Sequence, residues 1–206
     1  MFNIDIPTIL LTLPGILIAL TVHEFSHAYS AYLLGDTTAK QYGRLTLNPL
    51  SHIDIVGFLM LIFFRFGWAK PVPINPNNFS NRKMGYFLVS IAGPLSNVIL
   101  AIITTLIMAI AIRLQLNVFI YNMLYYAIFI NLVLAVFNLF PIPPLDGSKI
   151  LLAVLPHSME QKYYQLQKYS YILLLALVYF RVINKVLFPI VNFILNYLMS
   201  FLFLII

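Results

Sequence analysis

The stretch "LIALTVHEFSHAYSAYLL", residues 17–34, is apolar enough to cross a membrane, yet it carries His23, Glu24 and His27 at its middle. A charged group in lipid is costly, so such residues are functional by default. At 3.6 residues per turn His23 and His27 stand one above the other on a single helix face, where both imidazoles can reach one metal ion. Glu24 lies beside them, placed to take a proton from a water on that metal. A pair of satisfied core histidines is the bland alternative. It is weakened by the lipid setting and by the adjacent carboxylate.

The rest of the composition agrees with a membrane setting. Of 206 residues, 62% are hydrophobic and only 9% charged, too little polar surface for a soluble core of this size. The chain is therefore expected to be an all-α polytopic membrane protein forming a single domain over residues 1–206. There is no cysteine, which removes disulfides, thiolate ligands and a cysteine nucleophile together. Any metal must then be held by His, Asp or Glu. The start, "MFNIDIPTILL", lacks the basic region of a signal peptide, so the first apolar run is kept as mature protein. The net charge of +6 fits basic loops beside an anionic leaflet, and the scattered cations argue against nucleic-acid binding.

Spans are expected at about 6–34, 86–112 and 119–140, with weaker apolar runs at 55–67, 169–183 and 186–206, making about five to six in all. Residues 55–67 are too short to span comfortably and read as a re-entrant or buried piece. Alternation in "GRLTLN" predicts short strands within 39–48, and "WAKPVPINPNNFSNRKMG" reads as a Pro/Asn-rich loop. No cation precedes the first span, whereas Lys40, Arg44, Arg65, Lys70, Arg82 and Lys83 flank its far end. The positive-inside rule places residues 35–85 on the cytoplasmic side, and the C-terminal ends of the first and third spans then meet at that face.

A hydrolytic zinc normally keeps three protein ligands and one open position. Candidates for the third ligand are His52, His157, Asp54, Asp146, Glu160, Asp36 and Asp5. Asp146 stands out because it follows the third span in "NLFPIPPLDGSKI", where prolines break the helix and a glycine permits a sharp turn. Irregular backbone at membrane depth is tolerated where it is buried or lines a cavity.

With HExxH in a first hydrophobic segment and N-x-x-P-x-P-x-L-D-G at Asn138 to Gly147, the sequence resembles the site-2 proteases, which are intramembrane zinc metalloproteases. "GRLTLNPLSHIDIVG", "FGWAKPVPINPNNF" and "AGPLSN" resemble the compact members without PDZ or CBS domains, and the likeness covers most of residues 15–155. The catalytic core would occupy about 6–155, leaving a hydrophobic tail at about 160–206. The resemblance implies Zn2+ as cofactor, His23, His27 and Asp146 as its ligands, Glu24 as general base and Asn138 as a donor to the developing oxyanion. It also implies a small membrane-associated β-structure after the catalytic helix. Gly43, Arg44, Leu45, Thr46 and Leu47 would there present an unwound substrate by strand addition.

The activity so implied is hydrolysis of peptide bonds within or near transmembrane segments, for regulated intramembrane proteolysis or signal-peptide clearance. Its partners are membrane-anchored proteins or peptides, the bilayer and regulatory membrane proteins, in the cell membrane of a prokaryote. The alternative from another class is a membrane metal carrier or sensor using the same histidines. Two further features are expected to serve the site indirectly. Ser90, Gly93, Asn97 and Ala101 form a small-residue stripe suited to close packing on the first span. His52 and Asp54 could bind or orient something nearby, without being ligands.

Overall fold

The computed structural model describes residues 6–64, 67–156, 159, 160, 163, 165 and 167–206. Asp5, Arg65 and His157 lie outside the described residues.

Among the described residues the α-helices that matter for the site are α1 (Ile6–Leu33), α2 (Thr38–Gln41), α3 (Ile55–Phe64), α4 (Arg82–Arg113), α5 (Val118–Asn138), α6 (Asp146–Val154), α7 (Ser170–Tyr179) and α8 (Val182–Ile205). Among the described residues four helices are long and apolar enough to cross a membrane: Pro7–Leu33, Arg82–Arg113, Val118–Asn138 and Val182–Leu204. Among the described residues the count is therefore four, where about five to six are expected from the sequence. The shortfall comes from α3 and α7, each of 10 residues. At 1.5 Å rise each reaches about 15 Å, half the hydrocarbon thickness. Arg181, in the left-handed conformation at φ 57°, ends the α7 direction and starts α8.

Helix α4 is central and packs against α1, α5, α6 and α8. Its inner face is the small-residue stripe: Ser90, Gly93, Asn97 and Ala101 are all buried. Its outer face, Ile99, Ile103, Leu106 and Ile110, is exposed. Small residues inward and large apolar residues outward are what a helix in lipid needs, since close approach rather than hydrophobicity drives its association. On α8, Ile183, Leu187, Val191, Leu195 and Leu198 recur at helical spacing and join Ile128, Leu132 and Val136 of α5 in one apolar core. Hydroxyls within the spans are satisfied locally: Thr21 and Ser26 donate to the Leu17 and Val22 carbonyls. The histidines of α1 are not satisfied in this way.

The expected strands of 39–48 are absent. Residues 38–41 form α2, residues 43–48 are irregular, and an isolated antiparallel bridge, Ile53 to Ala69, is the one extended pairing among the described residues. The neighbouring segment explains why. "AKPVPINP" (69–76) carries prolines at 71, 73 and 76, which remove the N–H donors a ladder requires. Arg44 binds that segment by side chain instead, donating from Nη2 to the Lys70 carbonyl at 2.6 Å and from Nη1 to the Pro71 carbonyl at 3.3 Å.

A second clamp on the same segment is Asp36. Its buried carboxylate accepts from the Asn75 N–H at 2.7 Å, the Asn78 amide at 2.7 Å, and the Thr38 N–H and hydroxyl. Burial pushes this carboxyl up, but the hydrogen bonds from Thr38, Asn75 and Asn78 outweigh it and hold the group below its ordinary value of 3.8. A depressed carboxylate contributes stability above its unfolded pKa and loses it as pH falls through the folded value. Asp36→Asn should therefore cost about 2–3 kcal/mol at pH 7. Its deficit against wild type should shrink below pH 3.8, read from unfolding midpoints across pH. A deficit independent of pH would mean that the charge is not what holds the loop.

Candidate metal centre

The two turns of α1 that carry His23 and His27 face α4, and the proline-broken link after α5 brings Asp146 to the same point. Gly147 permits that return. A Cβ there would lie 2.2 Å from the Leu139 carbonyl oxygen, so only glycine lets the start of α6 fold back onto the end of α5. His23, His27 and Asp146 are all buried and form a cluster able to hold a metal ion. The Nε2 atoms are 3.0 Å apart, and Asp146 Oδ2 lies 3.1 Å from His23 Nε2 and 3.0 Å from His27 Nε2.

The remaining nitrogens fix what those atoms are. His27 Nδ1 is 2.7 Å from the Val89 carbonyl oxygen, which can only accept, so Nδ1 bears the proton. His23 Nδ1 is 2.6 Å from Asn97 Oδ1. The Asn97 amide nitrogen faces two acceptors, the Ala19 carbonyl at 3.1 Å and Asn131 Oδ1 at 2.9 Å, which leaves Oδ1 for His23. In the neutral imidazoles both Nε2 atoms thus hold lone pairs. With the carboxylate they make three acceptors meeting at about 3 Å with no donor between them. Such a set is repulsive without a cation. It fits one well: donors at about 2.0–2.1 Å in tetrahedral geometry stand roughly 3.3 Å apart.

Each candidate ligand is oriented by a second contact, as metal-binding side chains usually are. Lys149 Nζ donates to Asp146 Oδ1 at 3.0 Å from one helical turn away, leaving Oδ2 for the metal. Pro94 withholds a donor from the Ser90 carbonyl, next to the Val89 carbonyl that takes His27. Gly93 lies directly under the imidazoles. A Cβ there would sit 2.5 Å from His27 Nε2, 2.6 Å from His27 Cε1 and 2.7 Å from His23 Cε1.

Glu24 is buried beside this centre and accepts from the Val72 N–H at 2.9 Å, so the Pro-rich segment is fastened to it as well. Asn138 ends α5 half-buried, and its amide donates to the Leu134 carbonyl at 3.0 Å, within its own helix. Donation to an oxyanion would need a change of rotamer. Of the expected substrate stretch, Gly43 and Leu47 are exposed, Arg44 is buried, Leu45 packs near Ala28, Ala39 and Val72, and the Thr46 carbonyl accepts from His52 Nε2 at 2.8 Å. His52 and Asp54 are braces: the former ties down Thr46, and the latter accepts from the Gly57 N–H at 2.8 Å at the start of α3. Lys149, Asn131 and Val72 were not singled out by the sequence. Asn131 had a signal, an amide in the middle of an apolar span.

The family model described as Peptidase family M50 matches residues 107–180, which contain Asp146 but neither His23 nor His27. The chain is 40% identical over 192 residues to the "Putative zinc metalloprotease YwhC" of Bacillus subtilis, covering 90% of this chain and 86% of that protein. It is 28% identical to the "Putative zinc metalloprotease Rip2" of Mycolicibacterium smegmatis, covering 88% and 71%. It is 29% identical to the "Putative zinc metalloprotease MJ0611" of Methanocaldococcus jannaschii, covering 72% and 73%. No solved structure matches. The chain belongs to peptidase family M50, the site-2 protease family, and is an integral membrane protein.

Proposed function

We propose that this chain is an intramembrane zinc metalloprotease that cuts membrane-anchored proteins within or beside their transmembrane segments. His23, His27 and Asp146 hold the metal and Glu24 is the general base. The observation that carries this reading is the triangle of three oriented acceptors, drawn from α1 and from the link after α5 and meeting with no donor among them.

Zinc, when bound, supplies Lewis acidity to the scissile carbonyl and lowers the pKa of a coordinated water toward ~7. The chain's residues do the rest. Glu24, held by the Val72 N–H, takes the proton of the attacking water and returns it to the leaving nitrogen. Asn138 supplies an amide donor once it releases the Leu134 carbonyl. Residues 43–47 and the segment 70–74 form the ledge beside Glu24 along which an unwound substrate lies, without a preformed strand. An apolar cavity of about 390 Å³ lies between α1, α3 and α5, lined among others by Leu20, Thr21, Gly57, Leu61, Leu134 and Phe137. It offers a substrate's apolar residues a place within the bilayer. Exposed Lys40, Lys70 and Arg82 lie at the same end of the bundle, which supports a cytoplasmic-facing site. Clearance of signal peptides and release of membrane-tethered regulators both fit such a site.

The test uses the whole chain in vesicles with a single-span peptide. Cleavage should stop on chelation, return with one equivalent of Zn2+, and be absent in Asp146→Ala. Cleavage that survives chelation would refute the proposal. So would zinc flux across the vesicle without cleavage, which is the behaviour of a carrier.

A further inference from the structure

We infer that Asn131, in the middle of α5, is a positioning residue that sets the ligating tautomer of His23 through Asn97. The inference rests on the proposed metal centre and adds a residue that touches neither metal nor substrate.

An asparagine side chain can turn over, exchanging an acceptor for a donor with almost no change of shape. If Asn97 turned over, its NH2 would face His23 Nδ1. The imidazole would then accept at Nδ1 and carry its proton on Nε2, which cannot ligate. The correct orientation therefore has to be enforced from behind. Two acceptors do so: the Ala19 carbonyl and Asn131 Oδ1, at 3.1 and 2.9 Å from Asn97 Nδ2. Asn131 is itself oriented, because its amide nitrogen donates to the Ala127 carbonyl at 2.8 Å one turn back on α5. That bond leaves Oδ1 to point at α4. Both asparagines are buried, Asn97 at 0% and Asn131 at 1% exposure, so no water substitutes for a lost partner. The chain of bonds runs Ala127 carbonyl, Asn131, Asn97, His23, and crosses from α5 through α4 to α1.

A role as interhelical glue is the rival explanation, since amides do hydrogen-bond across helices in lipid. Epistasis separates the two. In Asn97→Asp both terminal atoms accept, so His23 Nδ1–H is satisfied whichever way the side chain turns, and the relay has nothing left to do. Asn131→Leu removes the acceptor in the wild type and should weaken Zn2+ binding by about 10-fold or more, within the range for residues that orient ligands. Added to Asn97→Asp, it should change affinity by less than about 2-fold, because no tautomer choice depends on it.

Zn2+ dissociation constants of the full chain are measured by chelator competition in nanodiscs, with metal-free unfolding as a fold control. Asn131→Val replaces Asn131→Leu if the latter does not fold. Equal losses in both backgrounds, or no loss in the single variant, would overturn the relay. Should His27→Ala still bind Zn2+ normally, the metal centre itself fails. Should His27→Ala lose Zn2+ while Asn131→Leu binds normally, the relay alone fails.

Discussion

Glu24→Gln is expected to bind Zn2+ as tightly as the wild type and to cleave about 10³-fold more slowly or worse. The substitution keeps size, shape and the acceptor that meets the Val72 N–H at 2.9 Å, so the Pro-rich segment stays fastened and the burial of the site is unchanged. It removes only the capacity to take a proton. General-base catalysis contributes about 10²–10⁴-fold, and the same group must also return the proton to the leaving nitrogen, so both halves of the reaction suffer. The metal should be indifferent, because Glu24 is outside the acceptor triangle of His23, His27 and Asp146. Two measurements suffice: zinc stoichiometry of the purified variant and single-turnover cleavage of a transmembrane peptide. A variant that loses zinc would make Glu24 a ligand, and one that keeps its rate would remove it from the chemistry. The same variant in cells should change the pool of membrane-derived fragments.

Some of this centre was legible in the sequence. His23 and His27 were legible because their pairing is local, fixed by helix pitch alone. Asp146 followed from parity: spans that alternate direction bring the ends of α1 and α5 to one face, and a proline-broken link there can turn inward. The strands of 39–48 were misjudged because alternation is necessary but not sufficient. A strand needs a partner with donors, and the partner nearest in space has proline at 71 and 73. The apolar run at 169–183 is shorter than the roughly 20 residues a span needs, and a left-handed Arg181 cuts its helix back further, to Ser170–Tyr179. Asn131 and Val72 act through contacts that no spacing rule specifies: Asn131 to Asn97 and Val72 to Glu24 are 34 and 48 residues apart in sequence, whereas Lys149 meets Asp146 at i,i+3 on α6.

Gly93 gives the sharpest remaining prediction, since zinc binding should suffer far more than folding. Gly93 lies inside the long α4 helix, where alanine is favoured by about 1 kcal/mol on backbone grounds. That gain offsets part of the cost of turning the imidazoles aside, off their Asn97 and Val89 partners, so metal-free Gly93→Ala should still fold. Turning aside is what removes the site. The new methyl would lie 2.5–2.7 Å from three atoms of His27 and His23, against about 3.5 Å or more for ordinary carbon contacts, so the rings must retreat by roughly 1 Å. Zinc tolerates about 0.2 Å in its ligand distances. The rings are also tethered at their far sides, to Asn97 and to the Val89 carbonyl at 2.6 and 2.7 Å, so they cannot retreat and stay aligned. Zinc affinity should fall by about 100-fold, at the upper end of what disturbing a metal site's surroundings does. Leu95→Ala, on the exposed face of the same turn, should leave it unchanged. If Gly93→Ala bound zinc like the wild type, α1 and α4 would have to stand farther apart at the site than they do here. The small-residue stripe would then be packing material alone, with no part in shaping the metal centre.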